Sequence, residues 1–327
     1  MASSAEAEQT VCVTGASGFI GSWIVLFLLQ RGYHVRATVQ NKDDDQETGH
    51  LLKFEGADKR LELFQADLLD FQAIATAIGK SVGVFHVASP CFLHEAKDPQ
   101  VELLEPAKEG TLNVLKASHT AGVKRVVLTS SVSAMYPNPR LPAGAIVDEN
   151  SWTDIKFCQE NEAWYPISKT LAEEAAWKFS QDTGLDVVAI NPGCVLGRML
   201  QPRLNASVAV LLNVLQGASD PQTFTWLGIV NVQDVARAHI LLFETPTAEG
   251  RHLCTSAITH FSDFADKVAE LYPQYNVYRF KEDTHPDLIR TDNPSTKLLT
   301  LGLSFTPEEE AIKDAVISLQ EKGHLEA

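Results

Sequence analysis

The chain has 327 residues, 45% of them hydrophobic and 21% charged, with a formal net charge of -15 at pH 7 and a pI near 5.1. That composition is ordinary for a soluble globular protein and argues against nucleic acid or an anionic membrane as the main partner. Five scattered cysteines without a C-x-x-C pair fit a reducing compartment, and ten histidines without an H-x-x-x-H or Cys/His cluster predict no protein-held metal.

The first nine residues are polar and acidic, unlike a signal peptide, and the apolar run 23–29 is too short to span a bilayer. The expected location is the cytoplasm, and the sequon Asn205-Ala206-Ser207 reads as chance. Residues 11–14 are short, apolar and β-branched, which predicts a strand buried on both faces. Gly15, Gly18 and Gly21 follow, three apart, and 20–29 form an apolar helix stopped at Gly32. A strand turning through glycines into a helix is a phosphate cradle. Gly15 permits the turn, Gly18 lets a pyrophosphate approach, Gly21 lets helix and strand pack, and the helix N-terminus offers N–H groups. The run is no nucleophile elbow, because the second glycine comes one residue too early. It is no P-loop, because no Gly-Lys-Ser/Thr follows.

Strand and helix signals then alternate. Strands are expected at 34–39, 60–65, 82–87, 125–128 and 186–190, and helices at 71–78, 101–121 and 166–183. This alternation predicts an α/β fold, a doubly wound parallel sheet. After residue 195 the rhythm loosens. A helix at 206–215, a strand at 229–232, a helix at 235–243 capped by Asp234, and helices at 261–271, 296–301 and 307–319 are expected. Glu308, Glu309 and Glu310 suit the first turn of the last one. The expected organisation is a dinucleotide-binding domain over 1–195, to which 228–256 returns, and a smaller, mainly helical substrate lobe over 196–327. In such sheets ligands lie at the carboxyl ends of strands, so loops 15–21, 88–95, 130–140 and 191–205 should meet over one crevice.

Tyr165 and Lys169, four apart at the start of a helix, share a face, and the fifth strand runs into Thr129-Ser130-Ser131 upstream. Hydride reduction of a carbonyl leaves an alkoxide that must be protonated. A tyrosine holds its proton at pH 7, a nearby ammonium eases its transfer, and a serine hydroxyl can fix the carbonyl oxygen. The hydride itself requires a cofactor.

With these residues the chain resembles the extended short-chain dehydrogenase/reductases. It is closest to the plant group of dihydroflavonol reductases, cinnamoyl-CoA reductases and cinnamyl-alcohol-type aldehyde reductases. The resemblance rests on GASGFIGSW (15–23), RATV (36–39), ADL (66–68), GVFHVASP (83–90), KDP (97–99), TSS (129–131), SKTLAEEAAW (168–177) and NPG (191–193), and it covers nearly the whole chain. It implies Tyr165 as general acid, Lys169 on the nicotinamide ribose, Ser131 on the carbonyl and Asn113 supporting a proton relay. It also implies a dinucleotide along Gly15, Ser17, Gly18, Phe19, Ile20 and Gly21, past Asp67 and Leu68 at the adenine, over Val87, Ala88, Ser89 and Thr129, to Pro192, Gly193 and Val195 at the nicotinamide.

Two departures bear on ligands. The arginine that ends the second strand in this group is Gln40 here, and the following lysine position falls near Glu47. No acidic residue ends the strand either. NADP(H) is favoured, with Lys42, and Arg36 beside it, on the 2′-phosphate, and NAD(H) stays open. Tyr136 stands where dihydroflavonol reductases carry an asparagine. AWYPISK (163–169) replaces the NWYCYGK of cinnamoyl-CoA reductases, which favours an aldehyde over a CoA thioester. Pro90, Phe92, Ser133, Met135, Tyr136, Cys194 and Leu200 are candidate pocket residues for an aromatic or apolar carbonyl, with lid packing the competing reading for each. Trp164, His86 and His94 read as structural or surface groups, and Arg198 and Arg203 as solvated or capping rather than CoA-binding. A monomer is expected. A thioester reductase, a sugar-nucleotide epimerase and a non-catalytic dinucleotide sensor remain alternatives.

Overall fold

The computed structural model describes residues 9–90, 97–142 and 144–326. β1 (Thr10–Thr14) leads through the glycine turn into α1 (Phe19–Gln30) and β2 (His34–Val39). The short helices α2 (Asp45–Thr48) and α3 (Ala57–Arg60) precede β3 (Leu61–Gln65). α4 (Phe71–Ile78) and β4 (Gly83–His86) follow, then α5 (Glu105–Ala121), entered through a π-turn at Gln100–Leu104, and β5 (Arg125–Thr129). α6 (Ile155–Glu160) and α7 (Trp164–Thr183) lead to β6 (Val187–Pro192) and β7 (Cys194–Leu196).

The rest comprises α8 (Ala206–Leu215), β8 (Ile229–Asn231), α9 (Val232–Glu244), β9 (Gly250–Cys254) and β10 (Ala257–Ile258). It ends with α10 (Phe261–Leu271), β11 (Thr291–Asp292), α11 (Thr296–Thr300) and α12 (Glu308–Glu321).

Seven strands pair in the order β3-β2-β1-β4-β5-β6-β9, every pair parallel. This is the doubly wound sheet that the alternation predicts. The order reverses between β1 and β4, which opens the crevice at their carboxyl ends. Alternation along each strand divides the core between two faces. Val11, Val13, Val127, Val188 and Ile190 pack with α1 and α9, whereas Cys12, Val126, Leu128, Val187 and Ala189 pack with α4, α5 and α7. β7 pairs with β8, and β10 with β11, in two small sheets apart from the main one.

Side-chain caps and left-handed glycines set the element ends. Asp70 accepts from Ala73 N to start α4, and Gly122 (φ 70°) and Gly184 (φ 76°) end α5 and α7. The start of α9 differs from expectation: Asn231, not Asp234, accepts from Gln233 N and caps it. Asp234 is fully buried one turn in, paired with Arg237 and accepting from Thr306 N at 2.7 Å. A capping search by sequence stops at the acid, whereas the helix starts as soon as β8 releases the chain.

Candidate active site

Gly15 sits at φ +66°, and its carbonyl accepts from Gly18 N at 3.1 Å to close the turn. A Cβ on Gly21 would lie 2.2 Å from Gly15 O, which no side chain could relieve. A Cβ on Gly18 would meet only Gly15 O, at 3.3 Å, so the outward side of the turn is open space. Gly18 caps α1 without a side-chain hydrogen bond, and no acid lies in the first turn. Open glycine, uncapped helix start and absent acid together fit the pyrophosphate of a dinucleotide.

Beside this cradle, Thr14 Oγ1 accepts from Val87 N and Ala88 N, both at 3.1 Å, which holds the loop after β4 across the crevice. Its proton then goes to His86 Nδ1 at 2.9 Å, and Nε2 carries the hydrogen toward Thr111 Oγ1 at 3.1 Å. Burial, and then the Lys169 charge, push the His86 pKa down to about 3, so the ring is neutral. His86 is therefore a structural strut.

The candidate residues Ser131, Tyr165 and Lys169 lie on the chain leaving β5 and on the helix beside it. Ser131 starts a single 3₁₀ turn and its Oγ accepts from Ser133 N at 3.1 Å, which fixes the rotamer. Lys169, 7% exposed, reaches Thr129 O at 3.3 Å, with Nζ 6.0 Å from the centroid of the half-buried Tyr165 ring one turn earlier in α7. Between Lys169, Thr129, Ser130, His86, Thr111 and Glu173 lies a cavity of about 10 Å³, room for one water.

Beneath these groups is a buried ion pair that sequence reading missed. Glu173, on the Lys169 face of α7 and fully buried, pairs with Arg251 of β9 at 2.6 Å. Its oxygens also accept from Ser130 Oγ at 2.5 Å, Asn191 Nδ2 at 2.9 Å and Trp177 Nε1 at 3.1 Å. Arg251 stacks on Trp152 and donates to the carbonyls of Ala134, Glu149 and Ser151, while Asn191 donates to Ser131 O at 3.1 Å. Through Ser130, Asn191 and Arg251, Glu173 thus ties β5, β6 and β9 to the helix that carries Tyr165 and Lys169. The only signal in the sequence was the four-residue spacing from Lys169 to Glu173.

Other candidates fall elsewhere. Asn113 donates to Leu68 O at 2.9 Å, and the α5 residue that approaches the Lys169 cavity is Thr111. Asp67 Oδ1 accepts from Leu69 N at 2.8 Å and shapes that same loop. Arg36 is turned away from the end of β2. It donates to Ala77 O, Thr76 O and Glu62, and stacks on Phe64, so the geometry withdraws it from a 2′-phosphate. Gln40 and Lys42 are exposed at the turn after β2.

Pro192 ends β6, and Gly193 N donates to Cys254 O at 3.1 Å, with Val195 buried behind it. Met135 and Ser133 are core rather than pocket wall: Met135 is fully buried with Val132, Leu227 and Leu253, and Ser133 O accepts from Thr153. Pro90, Tyr136, Cys194 and Leu200 are partly exposed on the expected loops. Burial, then Asp287, raise the Tyr136 pKa, and burial pushes the Cys194 thiol up to about 12, so both groups stay protonated. Phe92, with Cys91 and His94, lies outside the described residues. Trp164 packs with Leu104, Cys158 and Ile167, and Arg198 pairs with Glu321 at 2.8 Å. No cluster of metal-ligating side chains occurs among the described residues, and none of their helices is long and apolar enough to cross a membrane.

Comparison with known proteins follows the same lines. Residues 11–253 match the NAD dependent epimerase/dehydratase family. The chain is 47% identical over 325 residues to cinnamoyl-CoA reductase CAD2 of Medicago truncatula, covering 98% of each chain. Among solved structures it is similar to vestitone reductase from alfalfa (Medicago sativa), with 33% identity, TM-score 0.79, and 97% and 99% of the two chains covered. It is also similar to yeast methylglyoxal/isovaleraldehyde reductase Gre2 complexed with NADPH, with 26% identity, TM-score 0.79, and 97% and 100% covered.

Proposed function

Because the chain belongs to the NAD dependent epimerase/dehydratase family, and within it to the plant group of dihydroflavonol and cinnamoyl-CoA reductases, we propose that it is an NADP(H)-dependent reductase that converts a phenylpropanoid-type aldehyde or ketone to the alcohol. The observation that carries this reading is Lys169 Nζ bonded to Thr129 O, two residues before Ser131 at the carboxyl end of β5, with the Tyr165 ring 6.0 Å from Nζ and the open glycine cradle at the same end of the sheet.

NADPH, when bound, supplies the hydride to the carbonyl carbon. Ser131 Oγ hydrogen-bonds the carbonyl oxygen and holds it near the Tyr165 hydroxyl. As the oxygen gains charge, Tyr165 donates its proton, and the Lys169 ammonium one turn away stabilises the phenolate left behind. Thr129 O holds Lys169, and the water-sized cavity beside Lys169 gives a route for reprotonation. Half-buried Tyr136, Pro90 and Leu200 supply an apolar face for an aromatic ring. Lys42, exposed at the turn after β2, is one cation within that turn for the 2′-phosphate.

A second reading is reduction of a hydroxycinnamoyl-CoA thioester, favoured by the 47% identity to a cinnamoyl-CoA reductase. There the alkoxide collapses and expels the thiolate, which takes the proton. Parallel assays with coniferaldehyde, phenylacetaldehyde and feruloyl-CoA, each with NADPH and NADH, separate the two. Turnover of an aldehyde alone supports the first reading, and turnover of the thioester supports the second. NADH consumption as efficient as NADPH overturns the cofactor preference.

A further inference from the structure

The turn after β2 holds a charge arrangement for which the reaction has no use. Glu47 belongs to α2, yet its carboxylate folds back on the turn and is 8% exposed. Oε2 accepts from Gln40 N at 3.0 Å and Asn41 N at 3.1 Å, and Oε1 faces the Arg203 guanidinium at 3.6 Å. Arg203 also bonds Asp44 at 2.6 Å, from a segment 159 residues away in sequence. Two successive backbone N–H groups aimed at one point form an anion seat. Here the seat is filled by the chain's own carboxylate and closed by a cation from beyond β7.

The seat lies at the adenosine end of the crevice. Ala16 N donates to Thr38 O at 3.0 Å, so the glycine turn rests on β2 two residues before Gln40. A dinucleotide laid on the glycine turn brings its adenosine ribose to the end of the second strand, roughly 20 residues past the glycine motif. The ribose 2′ position therefore falls at Gln40, Asn41 and Glu47.

We infer that the Glu47 carboxylate is an internal stand-in for the cofactor's 2′-phosphate, and that a cofactor carrying this phosphate displaces it and takes over Gln40 N, Asn41 N and Arg203. This rests on the reading of the chain as a nicotinamide-dinucleotide reductase. A phosphomonoester carries a charge of about -1.5 to -2 at pH 7 against -1 for a carboxylate, so the same donors hold it more strongly. A 2′-hydroxyl has no such advantage. It leaves Glu47 seated and donates to it. Glu47 therefore weakens binding of the phosphorylated cofactor, and Arg203 strengthens it. Because Arg203 precedes α8, a bound 2′-phosphate also ties that segment to the turn after β2.

Calorimetric binding of NADP⁺ and NAD⁺ to the full chain tests this. Glu47→Gln keeps an acceptor on the seat but removes its charge, and should tighten NADP⁺ by about tenfold while leaving NAD⁺ unchanged or weaker. Arg203→Gln should weaken NADP⁺ by about tenfold with NAD⁺ within about twofold, and Arg203→Lys should restore part of the loss. A change of both cofactors by the same factor, in either variant, overturns the displacement. The wild-type preference is a separate readout: equal binding of NADP⁺ and NAD⁺ overturns the cofactor preference proposed above, and the variant ratios still decide the role of Glu47 and Arg203.

Discussion

The two ends of the crevice are built on opposite physical terms. At the carbonyl end, Glu173, Arg251, Ser130 and Asn191 are all buried and mutually hydrogen-bonded. At the end proposed for the adenosine, Gln40 and Lys42 are exposed and Arg203 keeps 58% of its side chain in water, around a buried Glu47. A buried network holds one geometry, because each unpaired member would cost its full desolvation. An exposed set of charges can exchange partners cheaply. Proton transfer needs the first kind of site, and a choice between two cofactors is easiest to adjust in the second.

The sharpest test of the carbonyl end is Tyr165→Phe. It removes the proposed proton donor and leaves the ring. We expect turnover to fall by about 10²- to 10⁴-fold, with NADP⁺ affinity close to wild type by calorimetry. Retained turnover would move the acid role to another group. Below it in size comes the buried pair. Arg251→Met leaves Glu173 charged and buried, and should cost about 3–5 kcal/mol of unfolding free energy in urea melts. Adding Glu173→Gln should recover part of that loss, because the uncompensated charge is gone.

Acid should act on the same end. Burial pushes His86 down to about 3 and His239, bonded to Thr129, to about 4, and it lowers His50, His252 and His285 elsewhere in the fold to about 4 as well. Between these values and 6.5 the unfolded chain takes up protons that the folded chain refuses, so stability rises with pH across that window and falls as pH drops below 6.5. The slope is on the order of 1 kcal/mol per pH unit for each histidine. Thermal melts from pH 7 to pH 5 should show it, and His239→Gln, with an amide toward Thr129, should lower the slope by the share of one histidine.

What could be read in advance follows the same division. The glycine cradle and the Tyr165–Lys169 pair were legible because local spacing dictates them: three-residue steps in a turn and one turn of helix. The doubly wound parallel sheet was legible because buried parallel strands must alternate with helices, whereas the order of its strands comes from the structure alone. The Glu173–Arg251 pair was not, since it joins residues 78 apart that only the closed sheet brings together. Arg36 misled for a related reason. Its place in the sequence near the end of β2 says nothing about which face of the pleat it occupies, and the structure puts it against Thr76, Ala77 and Glu62. Met135 lies on an expected pocket loop, yet the 3₁₀ turn after Ser131 rotates it into the core.

The smallest expected effect is the one that separates the two ends most clearly. Arg203→Gln breaks ion pairs with Asp44 and Glu47 made by an arginine that is 58% exposed, and it leaves the buried Glu47 its bonds from Gln40 N and Asn41 N. Ion pairs of an exposed arginine contribute about 0–1 kcal/mol, so its urea midpoint should stay near that of wild type, unlike that of Arg251→Met. Its effect should instead appear in ligand selection and in salt. The Debye length shrinks from about 10 Å at 0.1 M to about 3 Å at 1 M, so the NADP⁺ over NAD⁺ preference of the wild type should decline with added salt, more steeply than in Arg203→Gln. The single-turnover rate of the bound complex, set by Ser131, Tyr165 and Lys169 in their buried frame, should stay nearly flat over the same range. A salt response in that rate would mean that the carbonyl end is as open as the adenosine end, and the contrast between them would fail.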